Sequence, residues 1–233
     1  MELNTSESRR LLCKKIQEAE EKIIALYGLD EMKTPMHLST GGIGNWGQIP
    51  ISVGVIAAMP KAPVVSSYRS HAAFLAKTQD FKHFWQEMYG YGEGRQGSMH
   101  LCLPAKDHLL STAIVGTQIP VALGIAFSRG PTICFLGDGA TEGGVFWESM
   151  NLASLWKLPV LFVLEDNGLA MDSPKKDRHS FSLDKIGPLF GINQVVMEKD
   201  DVESLHEKTL EIRDKLPTLL ICKTTRYPKH VGI

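Results

Sequence analysis

No apolar run in this 233-residue chain approaches the roughly 20 residues that a membrane-spanning helix needs; the runs present are short, such as LPVLFVL at 158–164. The first ten residues, MELNTSESRR, have no apolar stretch behind their charges, so no secretory signal is expected there and the chain reads as cytoplasmic, with no membrane partner. An excess of either charge is also missing. Lys and Arg number 25 against 26 Asp and Glu, which supplies no basic field for nucleic acid, so any charged ligand must be held by a few placed residues. Cysteine is scarce: Cys13, Cys102, Cys134 and Cys222 form no CxxC pair, which suits neither a zinc site nor a disulfide framework. None lies beside an evident base, so they read as reduced packing residues rather than nucleophiles.

What is present is ordinary globular material, 43% hydrophobic and 22% charged, in a length that can bury a sizeable core. Residues 7–27 place Leu11, Leu12, Ile16, Ala19, Ile23, Ile24 and Tyr27 at three-and-four spacing with Gly28 behind them, which predicts an N-terminal amphipathic helix over 7–28. The segment 35–47, PMHLSTGGIGNWG, holds four glycines and reads as a loop; Pro50 suits the first turn of a following helix. A short apolar stretch at 63–69 predicts a buried strand that delivers Tyr68 and Arg69 at its carboxyl end. Residues 81–88 read as a helix ending in the glycine-rich GYGEGRQGS.

The second half alternates plainly: helix 120–128, strand 132–136, helix 141–156, strand 160–165, helix 201–215, strand 218–224. Strands separated by helices of this length imply right-handed crossovers and a mainly parallel sheet flanked by helices, an α/β fold. There is no internal repeat, low-complexity tract or linker, so 1–233 is expected to be a single domain.

Ligands of such sheets bind outside the carboxyl ends of the strands. Strand 132–136 runs into Gly137, Asp138, Gly139, and strand 160–165 runs into Asp166, Asn167, Gly168. Taken alone, Asp138 suits a helix cap and Asn167 a turn. Together, one crossover apart, they place a carboxylate and an amide oxygen on one rim, hard donors of the kind Mg2+ prefers, with coordination positions left for phosphate oxygens. A metal-bridged diphosphate is the ligand this points to, and the helix expected from Thr141 would aim its amino end at it. GDGATEGG does not supply the G-x-G-x-x-G of a dinucleotide site.

GDGATEGGVFWESMNLASLWKLPVLFVLEDN, residues 137–167, resembles the thiamine diphosphate motif, and its inner text is similar to the alpha subunits of 2-oxo acid dehydrogenases such as pyruvate dehydrogenase. HLS followed by GQ (37–48), SYRSH (67–71), GSMHL (97–101), IVGTQIP (114–120) and TTRYPKH (224–230) have counterparts in the same order. The resemblance implies the diphosphate-binding domain of a thiamine diphosphate-binding fold. By position it implies Mg2+ on Asp138, Asn167 and the carbonyl of Leu169, where the family usually has Tyr. It implies the cofactor's diphosphate on Tyr68, Arg69 and the amides of Gly139 and Ala140, Val115 as the apolar rest for the folded cofactor, and His71 and His230 as active-site histidines, with His230 moving a proton or steadying the enamine intermediate. His100, in GSMH, suits a structural or a site role equally.

The implied activity is decarboxylation of a pyruvate-like 2-oxo acid, with a transketolase-like beta subunit in an α2β2 assembly supplying a glutamate that this chain lacks. Alpha subunits of the family extend beyond the counterpart of His230, so this sequence resembles a short, C-terminally truncated form. It also departs from them in GGIGNW (41–46), in Ile49 where a Glu is expected, and in Asp166 of EDN, which is expected to add negative charge beside the metal. These departures suggest transfer of the acyl or two-carbon unit to a carbonyl acceptor by carbon–carbon bond formation. The alternatives are a lipoyl-linked dehydrogenase first component and a non-catalytic scaffold.

Overall fold

A computed structural model describes residues 2–29, 32, 36–91 and 97–232. Pro35 and residues 92–96 of the glycine-rich GYGEGRQGS segment lie outside that set.

The chain begins with α1 (Ser6–Gly28), which Thr5 opens by accepting a hydrogen bond from the Ser8 backbone. Helix α2 (Ile49–Ala58) follows, with Pro50 in its first turn, as the sequence predicts. Then come β1 (Val64–Ser67), α3 (His71–Thr78), α4 (Phe81–Met88), β2 (His108–Thr112), α5 (Gln118–Arg129) and β3 (Thr132–Gly137). The remainder is α6 (Gly144–Leu155), β4 (Val160–Asp166), the two-residue strands β5 (Leu169–Ala170) and β6 (Ser173–Pro174), α7 (Ile186–Phe190), β7 (Asn193–Met197), α8 (Val202–Ile212) and β8 (Thr218–Lys223).

Among the described residues the main sheet has six strands in the order β2-β1-β3-β4-β8-β7, every pairing parallel. Such a sheet is covered on both faces, so its strands read as continuous apolar runs. The twofold alternation sorts them. Ile133, Phe135, Leu161, Val163 and Leu220 face a core built with α1, α2, α3, α4 and α8. Cys134, Leu136, Phe162, Leu164 and Ile221 face a second core built with α5, α6 and α7. Each fully buried Leu, Ile or Phe contributes about 1.5–3 kcal/mol, so the two cores dominate the favourable side of folding.

Strands β2 and β7, on the two edges, went unread in the sequence. Strand β7 is partly exposed, while β2 sets buried His108, Ser111 and Thr112 beside half-buried leucines; both interleave polar residues with Leu or Val, so they carry no continuous apolar run. Cys13, Cys134 and Cys222 are buried free thiols in the cores, and burial pushes the Cys13 thiol up to about 12, which leaves it inert. No helix is long and apolar enough to cross a membrane among the described residues.

The strand order reverses at β1: the chain moves outward from β1 to β2, then returns to place β3 on the other side of β1. The carboxyl ends of β1 and β3 therefore flank the point at which ligands bind in open α/β sheets.

Candidate functional site

A cavity of about 230 Å³ opens at that switch point. From the end of β1 it receives Tyr68 and Arg69; from the end of β3, Gly137, Asp138, Gly139 and Ala140; from the end of β4, Glu165, Asn167 and Leu169. Val115, ahead of α5, and His230 also line it, so of the site residues expected from the sequence all but His71 meet here. Parallel pairing explains the meeting of Asp138 and Asn167: β3 and β4 run in register from Thr132↔Val160 to Gly137↔Glu165, so both strands end on one rim.

Two predicted placements need correction. His71 does not reach the cavity. It is fully buried at the start of α3, its Nδ1 2.9 Å from Glu20 Oε1 and its Nε2 2.7 Å from Ser98 Oγ. Glu20 also accepts from the backbone N–H groups of Ser39 and Thr40, so His71 belongs to the buried anchor of the 38–40 loop. The helix expected from Thr141 begins three residues later, at Gly144, because Asp138–Glu142 form a 3-10 turn closed by the Thr141 hydroxyl on the Asp138 carbonyl at 2.7 Å. The amides beside the cavity belong to this turn. His100 is exposed and outside the cavity lining, which favours neither a site role nor a core one.

Asp166 departs from expectation too. Its carboxylate is engaged by Lys175 at 2.7 Å and Lys223 at 3.0 Å, and both lysines line a different groove. Burial raises its pKa, but the two ammonium groups outweigh that and hold the carboxyl below its ordinary range. Its neighbour Glu165 points to the cavity instead, since successive residues on a strand face opposite sides. Burial pushes the Glu165 carboxyl up to about 8, against the hydrogen bond from Gln48 and the charge of Arg69.

The cavity is built for an anion. Arg69 is buried and, among the described residues, donates only to carbonyls, Leu38 at 2.6 Å and His230 at 3.3 Å. Arg226, also buried, donates to the carbonyls of Met171, Tyr227 and Pro228; among the described residues its nearest carboxylate is Asp172, 3.9 Å away, and its Nε is buried without a partner. Two desolvated guanidinium groups without hydrogen-bonded carboxylates call for a multiply charged anion. The space beside Gly137 is open: a Cβ there would meet nothing within 4 Å. At Gly139 a Cβ would fall 2.8 Å from that of Ala170, so glycine alone permits this approach of turn and loop.

A metal fits the same wall. Asp138 is 1% exposed and gives only Oδ2 to Arg178, at 2.6 Å; Asn167 Oδ1 accepts from Leu169 N at 3.0 Å, and its amide nitrogen donates to Gln48 at 3.5 Å. Among the described residues no three His, Cys, Asp or Glu cluster to hold a metal. A cation here would rely on one carboxylate, one amide oxygen, one carbonyl and the ligand's own oxygens, a set suited to a hard ion that stays partly ligand-bound.

His37, Tyr68 and His230 form a cluster at the cavity, with ring centroids 4.5 Å apart for His37–Tyr68 and 5.0 Å for His37–His230. Burial, then Arg69 and His230, push His37 down to about 3. Burial and the charges of Arg69 and Arg226 also lower the His230 pKa, so its imidazole is neutral at pH 7. Gln48, Glu165, Arg226 and Gln118 also line the cavity, and no pattern of their own in the sequence marks them as site residues. All four lie inside the blocks that carry the family resemblance: Gln48 in GQ, Gln118 in IVGTQIP, Glu165 in the 137–167 motif and Arg226 in TTRYPKH.

The chain matches the dehydrogenase E1 component family over residues 38–231. It is 33% identical to the pyruvate dehydrogenase E1 component subunit alpha of Zymomonas mobilis, over 95% of this chain and 66% of that protein. Identity to the subunit of the same name from Rickettsia typhi is 32%, over 92% and 69%. The alpha subunit of acetoin:2,6-dichlorophenolindophenol oxidoreductase from Cupriavidus necator is 31% identical, over 92% and 68%. The chain thus spans about two thirds of the length of these relatives. Its strand order, its anion-ready cavity and these similarities agree: the chain belongs to the dehydrogenase E1 component family.

Proposed function

We propose that this chain is the diphosphate-binding, alpha-type subunit of a cytoplasmic thiamine diphosphate enzyme that decarboxylates a 2-oxo acid and passes the acyl unit to an acceptor. The observation that carries the reading is the pairing, in one cavity, of two buried arginines bonded, among the described residues, only to carbonyls with the hard-oxygen set of Asp138, Asn167 and Leu169. Names of relatives support the class of chemistry, since pyruvate and acetoin both carry a carbon–carbon bond next to a carbonyl group.

Thiamine diphosphate, when bound, supplies an electron sink for cleaving such a bond. The chain's own residues bind and orient. Arg69 and Tyr68 hold diphosphate oxygens together with the amides of Gly139 and Ala140, while Asp138, Asn167 Oδ1 and the Leu169 carbonyl hold Mg2+. Val115 is 54% exposed beside the cavity, an apolar surface for a folded cofactor to cover. His230, neutral at pH 7, accepts or returns a proton at the substrate carbonyl.

At about 230 Å³ the cavity lies below the roughly 300–1,000 Å³ of complete small-molecule sites, which suits one wall of a site closed by a second subunit. A transketolase-like beta subunit in an α2β2 assembly is that partner, and it would contribute the glutamate that the family resemblance implies. The acceptor in this reading is a second carbonyl compound. Its support is the exposed turn around Ile43, closed by Gly41 N–H on the Asn45 carbonyl at 3.0 Å, and Ile49 where the family's Glu is expected. The charge of Asp166 no longer supports it. Native mass spectrometry of the assembly purified with Mg2+ and thiamine diphosphate tests the whole: a heterotetramer with two cofactors is expected, and a homodimer that takes up none would overturn it. Rapid reductive acylation of a lipoyl domain by that assembly would replace the carbonyl acceptor with a lipoyl arm.

A further inference from the structure

Arg178 is not among the residues carried over from any motif, yet it makes the closest polar contact to the central carboxylate of the cavity. Its Nη2 donates to Asp138 Oδ2 at 2.6 Å, its Nη1 to Glu142, and its Nε to the carbonyl of Ser173 at 3.1 Å. Both partners of the first bond are enclosed: the Arg178 side chain is 10% exposed and that of Asp138 1%.

We propose that Arg178 is a positioning residue for the cation, a clasp that fixes the Asp138 carboxylate and pins the loop bearing Leu169 against it. The proposal rests on the reading of Asp138, Asn167 and Leu169 as the Mg2+ site and adds a residue to it.

The three donors of the guanidinium reach two chain segments. Asp138 and Glu142 lie on the turn after β3, whereas Ser173 lies on β6, which pairs with β5 through Ala170↔Ser173 and Leu169↔Pro174. One guanidinium thus couples the carboxylate ligand to the carbonyl ligand through a single two-residue ladder. Asp138 Oδ2 is taken by Arg178, while Oδ1 receives no hydrogen bond among the described residues. Holding one oxygen of a carboxylate presents the other in one direction, so a cation meets a ligand already oriented.

The charge balance favours this over simple blockade. Arg178 is shared by two carboxylates, Asp138 and Glu142, so net negative charge remains on the cluster for a divalent ion to meet. His179 adds a second attachment of the loop to the turn, its Nε2 3.4 Å from Thr141 Oγ1 and 3.2 Å from Glu142. A lysine would keep the charge and lose the geometry, because one ammonium cannot aim three donors along a planar fork.

The test uses the full chain in the assembly in which it purifies, with Mn2+ as the probe. Mn2+ binding is read by electron paramagnetic resonance at saturating thiamine diphosphate, and trypsin cleavage after the exposed Lys176 is timed with neither present. Arg178→Gln is expected to raise the Mn2+ Kd at least tenfold and to speed cleavage severalfold. Arg178→Lys is expected to recover less than half of the lost affinity, and it decides the matter if the Gln variant does not fold. Mn2+ affinity within twofold of the unaltered protein in either variant, or tighter, would overturn the clasp. Absence of Mn2+ binding in the unaltered protein is a separate result: it sinks the metal reading, and unchanged cleavage then sinks the clasp as well.

Discussion

Arg69 Nη2 donates to the backbone carbonyl of His230 at 3.3 Å, joining the end of β1 to a segment 161 residues further along the chain. One side chain thereby faces the anion cavity and holds the segment of the neutral histidine beside it. Arg69→Lys would keep a cation but lose the two-pronged grip on the Leu38 and His230 carbonyls. Thiamine diphosphate affinity, followed by tryptophan fluorescence, should fall tenfold or more, about 1.4 kcal/mol or above. Unchanged affinity would remove Arg69 from the diphosphate site.

His230 and His71 should part company on mutation. His230→Ala removes a half-buried ring and should leave the unfolding midpoint and the assembly nearly unchanged while turnover of the reconstituted enzyme falls about a hundredfold or more. His71→Ala strips a fully buried partner from Glu20 and should cost about 3 kcal/mol or more of stability in urea unfolding. Equal stability losses in the two variants would contradict these assignments.

Asp166→Asn tests which side of the sheet that carboxylate serves. It leaves Lys175 and Lys223 without their shared anion, and both lysines can turn to solvent, so a loss of about 1–2 kcal/mol is expected. Cofactor affinity should stay within twofold, measured by titration calorimetry. A large change would return Asp166 to the cavity.

Acid should destabilise the fold through His108. This residue is fully buried in β2 with its ring 5.2 Å from that of Phe74, and burial pushes its pKa down to about 3. Unfolding returns it to about 6.5, so the unfolded chain binds the extra proton. The stability it contributes is complete above about pH 6.5 and is lost as pH falls toward 3, at up to about 1.4 kcal/mol per pH unit. His108→Gln should flatten the stability–pH slope by one proton's worth in urea melts between pH 7 and 5. An identical slope would mean that His108 is charged in the folded protein.

Several parts of this molecule were determined by local sequence. The run TICFL must lie in a sheet covered on both faces, and the two glycines around Asp138 mark a backbone that approaches something closely. Asp138 and Asn167 could be placed on one rim because the length of one crossover unit leaves parallel strands little freedom. The edge strands β2 and β7 were hidden because an edge position tolerates the polar residues that blur a strand pattern.

Tertiary structure alone decided which face each side chain serves. Glu165 and Asp166 are adjacent in sequence, yet the pleat sends one to the cavity and the other to a pair of lysines. His71 and His230 read alike as histidines in matching blocks, and only the packing of α1 against α3 shows that Glu20 claims the first. Arg178 lies 40 residues from Asp138, in a segment with no periodicity to read. Its partner is set by how the loop after β4 folds back on the turn after β3, a relation that long-range packing creates and no local pattern encodes.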